Sequence, residues 1–192
     1  LPLFGLILGL AAVLLLSNWL KPHAFGGTLL QSPQQAYDFA FKGPENRTYR
    51  LSDFQGKVVL IFFGYTYCPD VCPITLDVLQ DTLVGLGPDS QQVQAIMITV
   101  DPARDTPERL ADYLTRYGVP ILGLSGGEED TIQAAVAYGV SFQRREGPTP
   151  EQYFMDHTAT IMLVDPDGYL RVVYPYATRA EAIIADIDYI LS

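Results

Sequence analysis

Hydrophobic and polar positions split the chain into an apolar leader and a longer segment of mixed periodicity. No position from Leu1 to Leu20 is charged, Leu3 to Leu16 is wholly apolar, and the first charge is Lys21. Residues 3–20 would make roughly 27 Å of helix, enough to cross a bilayer core with Trp19 and Lys21 at its interface. This predicts a membrane anchor over residues 1–20. A cleaved signal segment fits the same pattern, although the basic start and the small-residue cleavage site are missing. Residues 21–36 carry glycine, proline and glutamine and read as a flexible spacer, with His23 an incidental member. A single domain over 37–192 follows.

Within that domain Tyr37–Phe41 alternates weakly and predicts an edge strand, with Thr48–Leu51 as its hairpin partner. Val58–Phe63 is a continuous run of strand formers, too short for a helix, and predicts a central strand buried on both faces. Cys68-Pro-Asp-Val-Cys72-Pro then opens a helical pattern through Leu76, Leu79 and Leu83 that stops at Gly85 and Gly87. Val93–Val100 is the next buried strand. After the loop Asp101–Pro107, capped by Asp105 or Thr106, Leu110, Tyr113, Leu114 and Tyr117 give a helix its apolar face. A short strand over Ile121–Leu124, a helix over Glu128–Tyr138 and an extended Val140–Arg144 come next. Thr158–Val164 and Tyr169–Tyr174 form a hairpin around Asp165-Pro-Asp-Gly168, and a helix over Arg179–Leu191 closes the chain. Strands alternating with helices predict an α/β layered domain. A strand feeding a helix that opens with paired cysteines makes it thioredoxin-like.

Composition narrows the chemistry. With 192 residues the domain can bury a core without disulfide staples. Its 12 basic and 22 acidic residues give a net charge of −10, which argues against a nucleic-acid partner. The chain has two cysteines, Cys68 and Cys72, and two histidines, His23 and His157. Any metal or nucleophile chemistry draws on that short stock.

On one helical turn, residues i and i+4 share a face, so Cys68 and Cys72 can grip one soft ion or close to a disulfide. A helix N-terminus favours negative charge and is expected to lower both thiol pKa values. A purely structural disulfide would close a ring of five residues, worth about 2 kcal/mol, which a domain of this size hardly needs. The spacing is one residue longer than the usual redox pair C-x-x-C. Two thiolates and an imidazole suit Cu(I), and Cu(II) could add an oxygen ligand or water; zinc is permitted but usually takes a fourth protein ligand. His157 is the candidate third ligand, because in a thioredoxin-like sheet the loop before the strand at Thr160–Val164 crosses over the cysteine pair. Asp156 either orients the His157 ring or is a solvated loop acid. Asp101, Asp105 and Glu108 serve either helix capping and turn chemistry or a surface near the metal.

The segments FFGYTYCPDVCPITL (Phe62–Leu76), TVDPARDTPERL (Thr99–Leu110) and YFMDHTATIMLVDPDG (Tyr153–Gly168), in that order, resemble the SCO/SenC family of membrane-anchored copper proteins that assemble cytochrome c oxidase. The resemblance implies a thioredoxin-like three-layer domain facing the periplasm or another extracytoplasmic space, or the intermembrane space in a eukaryote. It implies copper ligation by Cys68, Cys72 and His157, with the two cysteines also a redox-active pair. It implies delivery of copper to the dinuclear copper centre of cytochrome c oxidase subunit II, or reduction of that centre's cysteines; it names no copper donor protein. Tyr67 stands where the family often has histidine. Three functions are therefore compared. They are a copper chaperone that transfers rather than catalyses, a thiol-disulfide oxidoreductase, and a peroxidase, for which Thr66 is in reach but no arginine is evident in the sequence.

Overall fold

The computed structural model describes residues 22–147, 149 and 152–192. The expected anchor over 1–20 lies outside them. Among the described residues no helix is long and apolar enough to cross a membrane.

The core is a six-stranded mixed sheet in the order β1-β10-β9-β4-β5-β6. Its strands are β1 (Thr28–Gln35), β4 (Val58–Gly64), β5 (Val93–Thr99), β6 (Ile121–Leu124), β9 (Ile161–Val164) and β10 (Tyr169–Tyr174). Every residue of β4 is buried, as its unbroken apolar run predicts for a strand covered on both faces. It pairs in parallel with β5, Phe62 opposite Met97, and antiparallel with β9, Phe62 opposite Ile161.

Among the described residues four α-helices cover the sheet: α1 (Val71–Gly85), α2 (Pro107–Leu114), α3 (Glu128–Ala137) and α4 (Ala180–Leu191). Successive side chains of β4 point to opposite faces. Phe63 meets the ring of Tyr138, just beyond α3, at 5.9 Å. A Cβ on Gly64 would lie 3.1 Å from the Cys72 sulfur on α1. Helices therefore lie on both faces, giving the three layers expected. Thr106, not Asp105, caps α2: its hydroxyl accepts from the Arg109 N–H at 3.2 Å, with Pro107 in the first turn. Asp105 is thereby left for other work.

Three expectations need correction. Residues 21–36 are not a free spacer, because Thr28–Gln35 forms β1 on the edge of the sheet, antiparallel to β10. Its polar, exposed sequence shows no alternation, and Pro33 sits where the register shifts, between Leu29 and Gln34; an edge strand tolerates both. His23 is not incidental. Its Nε2 meets Asp186 Oδ1 at 2.7 Å and its ring stacks on Tyr189 at 4.3 Å. Asp186, almost wholly buried, also accepts from the Gly26 N–H and the Tyr174 hydroxyl. Finally, β2 (Ala40–Lys42) and β3 (Thr48–Arg50) do pair as a hairpin, but as a separate two-stranded ribbon rather than a sheet edge.

Candidate metal centre

The site lies where β4 ends. Gly64 closes the strand, residues 65–70 form a turn, and α1 begins at Val71. Cys68 is thus in the turn and only Cys72 is helical, not both as expected. The residue before a proline is pushed away from helical geometry, and Cys68 precedes Pro69. The consequence is favourable. The Cys72 backbone N–H donates to the Cys68 sulfur at 3.4 Å, so that sulfur takes the place of a capping oxygen at the first turn of α1.

His157 is carried by a second ribbon, β7 (Phe142–Arg145) paired antiparallel with β8 (Phe154–His157), outside the main sheet. It ends a strand rather than sitting in a loop. The imidazole Nε2 stands 3.3 Å from the Cys72 sulfur, and Nδ1 stands 3.2 Å from the Thr158 carbonyl oxygen. A carbonyl only accepts, so Nδ1 donates to Thr158, which turns Nε2 towards the thiols. Phe62 and Tyr65 meet the ring edge-on at 6.0 and 5.8 Å. Asp156 plays no part in orienting it. That carboxylate is exposed on the other side of the strand and pairs with Arg145 at 2.5 Å. The backbone of Thr158 orients the ring, and Asp156 is the solvated acid of the two roles open to it.

The ligand atoms of Cys68, Cys72 and His157 all lie within 4.8 Å of one another. Among the described residues they form the one cluster of three or more potential ligands, and both cysteines are free thiols. His23 lies elsewhere, against Asp186. Two sulfurs and one nitrogen in an apolar setting fit a soft ion such as copper.

The two thiols are held apart in protonation, whereas both were expected to be lowered. Cys72 donates its S–H to Cys68, and this bond, with His157 and the backbone N–H groups, overcomes burial and draws the Cys68 thiol down to about 4. Cys72 is pushed up, because it gives the proton of that bond and is wholly buried. Cys68 is therefore the thiolate at neutral pH and retains slight exposure. Alkylation of the reduced protein by iodoacetamide is expected at Cys68 first, at a rate nearly flat between pH 6 and 8. An ordinary thiol would rise about tenfold per unit over that range. Mass spectrometry of the modified peptide decides, and a tenfold rise per unit would refute a depressed Cys68.

Around the thiols lies a polar framework that the sequence left between capping and function. Buried Asp105 accepts from the Thr66 N–H at 2.9 Å, the Thr66 hydroxyl at 2.5 Å and the Thr99 hydroxyl at 2.7 Å. Arg109 donates to the Thr66 hydroxyl at 2.9 Å, so an arginine does accompany Thr66. That hydroxyl is spent on Asp105 and Arg109, which leaves the peroxidase reading without a free donor. Asp101, also buried, accepts from the Tyr153 hydroxyl at 2.7 Å and pairs with Arg104. Glu108 lies in the first turn of α2, as capping electrostatics favour. Arg104 and Tyr153 had no periodic signal to mark them; their only trace was adjacency to the Asp105 and His157 motifs.

The SCO1/SenC family model matches residues 28–192. The bovine mitochondrial SCO2 homolog is 36% identical over 148 residues, which is 76% of this chain and 56% of that protein. The human mitochondrial SCO1 homolog is 36% identical over 141 residues, 70% of this chain and 46% of its own length. The chain thus spans only about half the length of these relatives. Apo Sco1 from Thermus thermophilus superposes with a TM-score of 0.78 at 42% identity, covering 87% of this chain and 97% of that one. Bradyrhizobium japonicum ScoI with copper bound gives 0.75 at 34% identity, covering 82% and 99%. With the family model spanning the whole described sheet and the three candidate ligands, the chain belongs to the SCO1/SenC family.

Proposed function

We propose that the protein binds one copper ion through Cys68, Cys72 and His157 and passes it on as cargo, the recipient being the dinuclear copper centre of cytochrome c oxidase subunit II. The observation that carries this reading is the convergence of two sulfurs and the imidazole Nε2 within 4.8 Å. Three soft donors leave a coordination position open to an incoming thiolate, which is what ligand-by-ligand transfer needs. Cu(I) is the ion best matched to thiolates, and Cu(II) would add an oxygen ligand or water. Copper-bound relatives from Bradyrhizobium japonicum and yeast support the assignment of metal. Such transfer belongs in an extracytoplasmic compartment, with residues 1–20 as the anchor.

Anaerobic titration of Cu(I) into the reduced protein against a competing chelator tests the reading. One equivalent should bind the parent, and His157→Ala should weaken binding about a hundredfold. Binding indifferent to His157 would sink this ligand set.

The protonation split favours a second reading, a thiol-disulfide reductase. The Cys68 thiolate would attack a partner disulfide and form a mixed disulfide. Cys72 would then lose its proton and attack the Cys68 sulfur, releasing the partner as a dithiol and leaving Cys68–Cys72 oxidised. This chemistry needs no imidazole ligand, so His157→Ala should largely spare it. One pair of thiols can serve both roles.

A further inference from the structure

Cys68 and Cys72 flank the start of α1, whereas His157 comes from a separate ribbon that the main sheet does not pair with. Cys68 follows Tyr67 in the turn after β4, and His157 ends the strand that starts just after Tyr153. Between them lies the Asp101–Asp105 turn, closed by the Arg104 and Asp105 N–H groups donating to the Asp101 carbonyl at 3.1 and 3.0 Å. Its side chains reach both ways. Asp105 holds Thr66 by N–H and hydroxyl. Asp101 holds the Tyr153 hydroxyl, and Arg104 donates through Nη1 to the Tyr153 carbonyl at 3.0 Å.

A stack of rings and guanidiniums runs through the same residues. Tyr67 lies 4.4 Å from the Arg109 guanidinium carbon and 4.5 Å from that of Arg104. Tyr153 lies 3.5 Å from that of Arg104 and 3.9 Å from that of Arg144. All four separations are well inside cation–π range. Arg104 is common to both rings, so it joins the residue before Cys68 to the residue before the His157 strand.

We propose that the Asp101–Asp105 turn is a positioning device for the metal centre, with Arg104, Tyr67 and Tyr153 registering the Cys68 turn against the His157 strand. Its bearing on copper rests on the ligand set proposed above. Burying two carboxylates is costly, and apolar side chains could fill the same space. Apolar packing, however, would not set a register between a turn and a ribbon that the main sheet does not pair. Helix capping does not account for the carboxylates either, since Thr106 caps α2.

The test compares the parent with Tyr153→Leu, Tyr153→Phe and Tyr67→Leu, each with and without His157→Ala. Tyr153→Leu should raise the Cu(I) dissociation constant about tenfold, the scale on which outer partners of metal ligands act. Tyr153→Phe keeps the ring between its guanidiniums and should cost about threefold. In the His157→Ala background Tyr153→Leu should add nothing; an equal loss in both backgrounds would overturn the proposal, because it would mark general damage.

A metal-free readout separates this proposal from the copper reading. In the apo protein, amide hydrogen exchange of residues 154–157 should accelerate about tenfold in Tyr153→Leu while β4 and β5 stay unchanged. If the parent fails to bind Cu(I), the ligand set is wrong, and the exchange result still decides whether the Asp101–Asp105 turn positions the ribbon. Should Tyr153→Leu not fold, half-exposed Tyr67→Leu carries the same test with a smaller acceleration. Unchanged exchange there would overturn the proposal.

Discussion

Replacing Cys72 with serine is expected to lower Cu(I) affinity about a thousandfold or more, the largest loss of any single change at the site. Serine keeps the size but offers a hard oxygen where the ion needs a soft sulfur. The Cys72 sulfur is also the group that touches both other donors, through its S–H bond to Cys68 and its 3.3 Å contact with His157 Nε2. A distinctive pH signature should vanish with it. Cys68 is already deprotonated above its lowered pKa of about 4, whereas Cys72 must lose a proton to become a ligand. Uptake therefore releases one proton near neutrality, and affinity should rise about tenfold per pH unit between pH 6 and 8 in the parent. The serine variant should show almost no slope. Competition titrations at three pH values measure both quantities. A parent slope near two would mean that both thiols start protonated, contrary to the split described above.

Phe62→Ala should produce the largest loss of stability, about 3–5 kcal/mol. Phe62 is wholly buried in the middle of β4, between Met97 of β5 and Ile161 of β9. A Cβ on Gly64 would meet its ring at 2.5 Å, so the ring occupies the space beside the bare backbone, and its removal leaves a cavity the sheet cannot close. Urea denaturation should show a lower midpoint at an unchanged slope. Because Phe62 also flanks the His157 ring, copper affinity should fall, though by less than in His157→Ala. A loss under about 1 kcal/mol would mean that the core around β4 repacks freely.

Elements with strong periodicity could be read from the residues alone. The β4 and β5 runs, the four helices and the β9–β10 hairpin are mostly apolar where they are buried, and their turns carry glycine or proline where the chain must bend. The donor residues were legible for a different reason: with two cysteines and two histidines, few sets could be formed. What escaped was structure held by polar contacts. The β1 strand has almost no buried side chain, and its pairing with β10 is backbone hydrogen bonding, which leaves no hydrophobic trace. His23 gains its importance from Asp186, 163 residues away. The start of α1 was misplaced by three residues because the cysteine spacing suggested a helical turn, while Pro69 forbade helical geometry at Cys68. The opposite protonation of the two thiols follows from Cys72 donating its S–H to Cys68 and from the deeper burial of Cys72, a distinction that spacing does not carry.

The ribbon that bears His157 has a kinetic consequence. Two donors belong to the strand–helix body and the third to a hairpin the main sheet does not pair with, so the two sides of the centre are held by different contacts. In the transfer proposed above, an acceptor thiolate would replace the imidazole first, while the dithiol side keeps its grip. The hand-over rate would then follow the contacts that seat the ribbon, and the strength of retention those that seat the two cysteines. Speed of release and tightness of holding can therefore be adjusted by different residues.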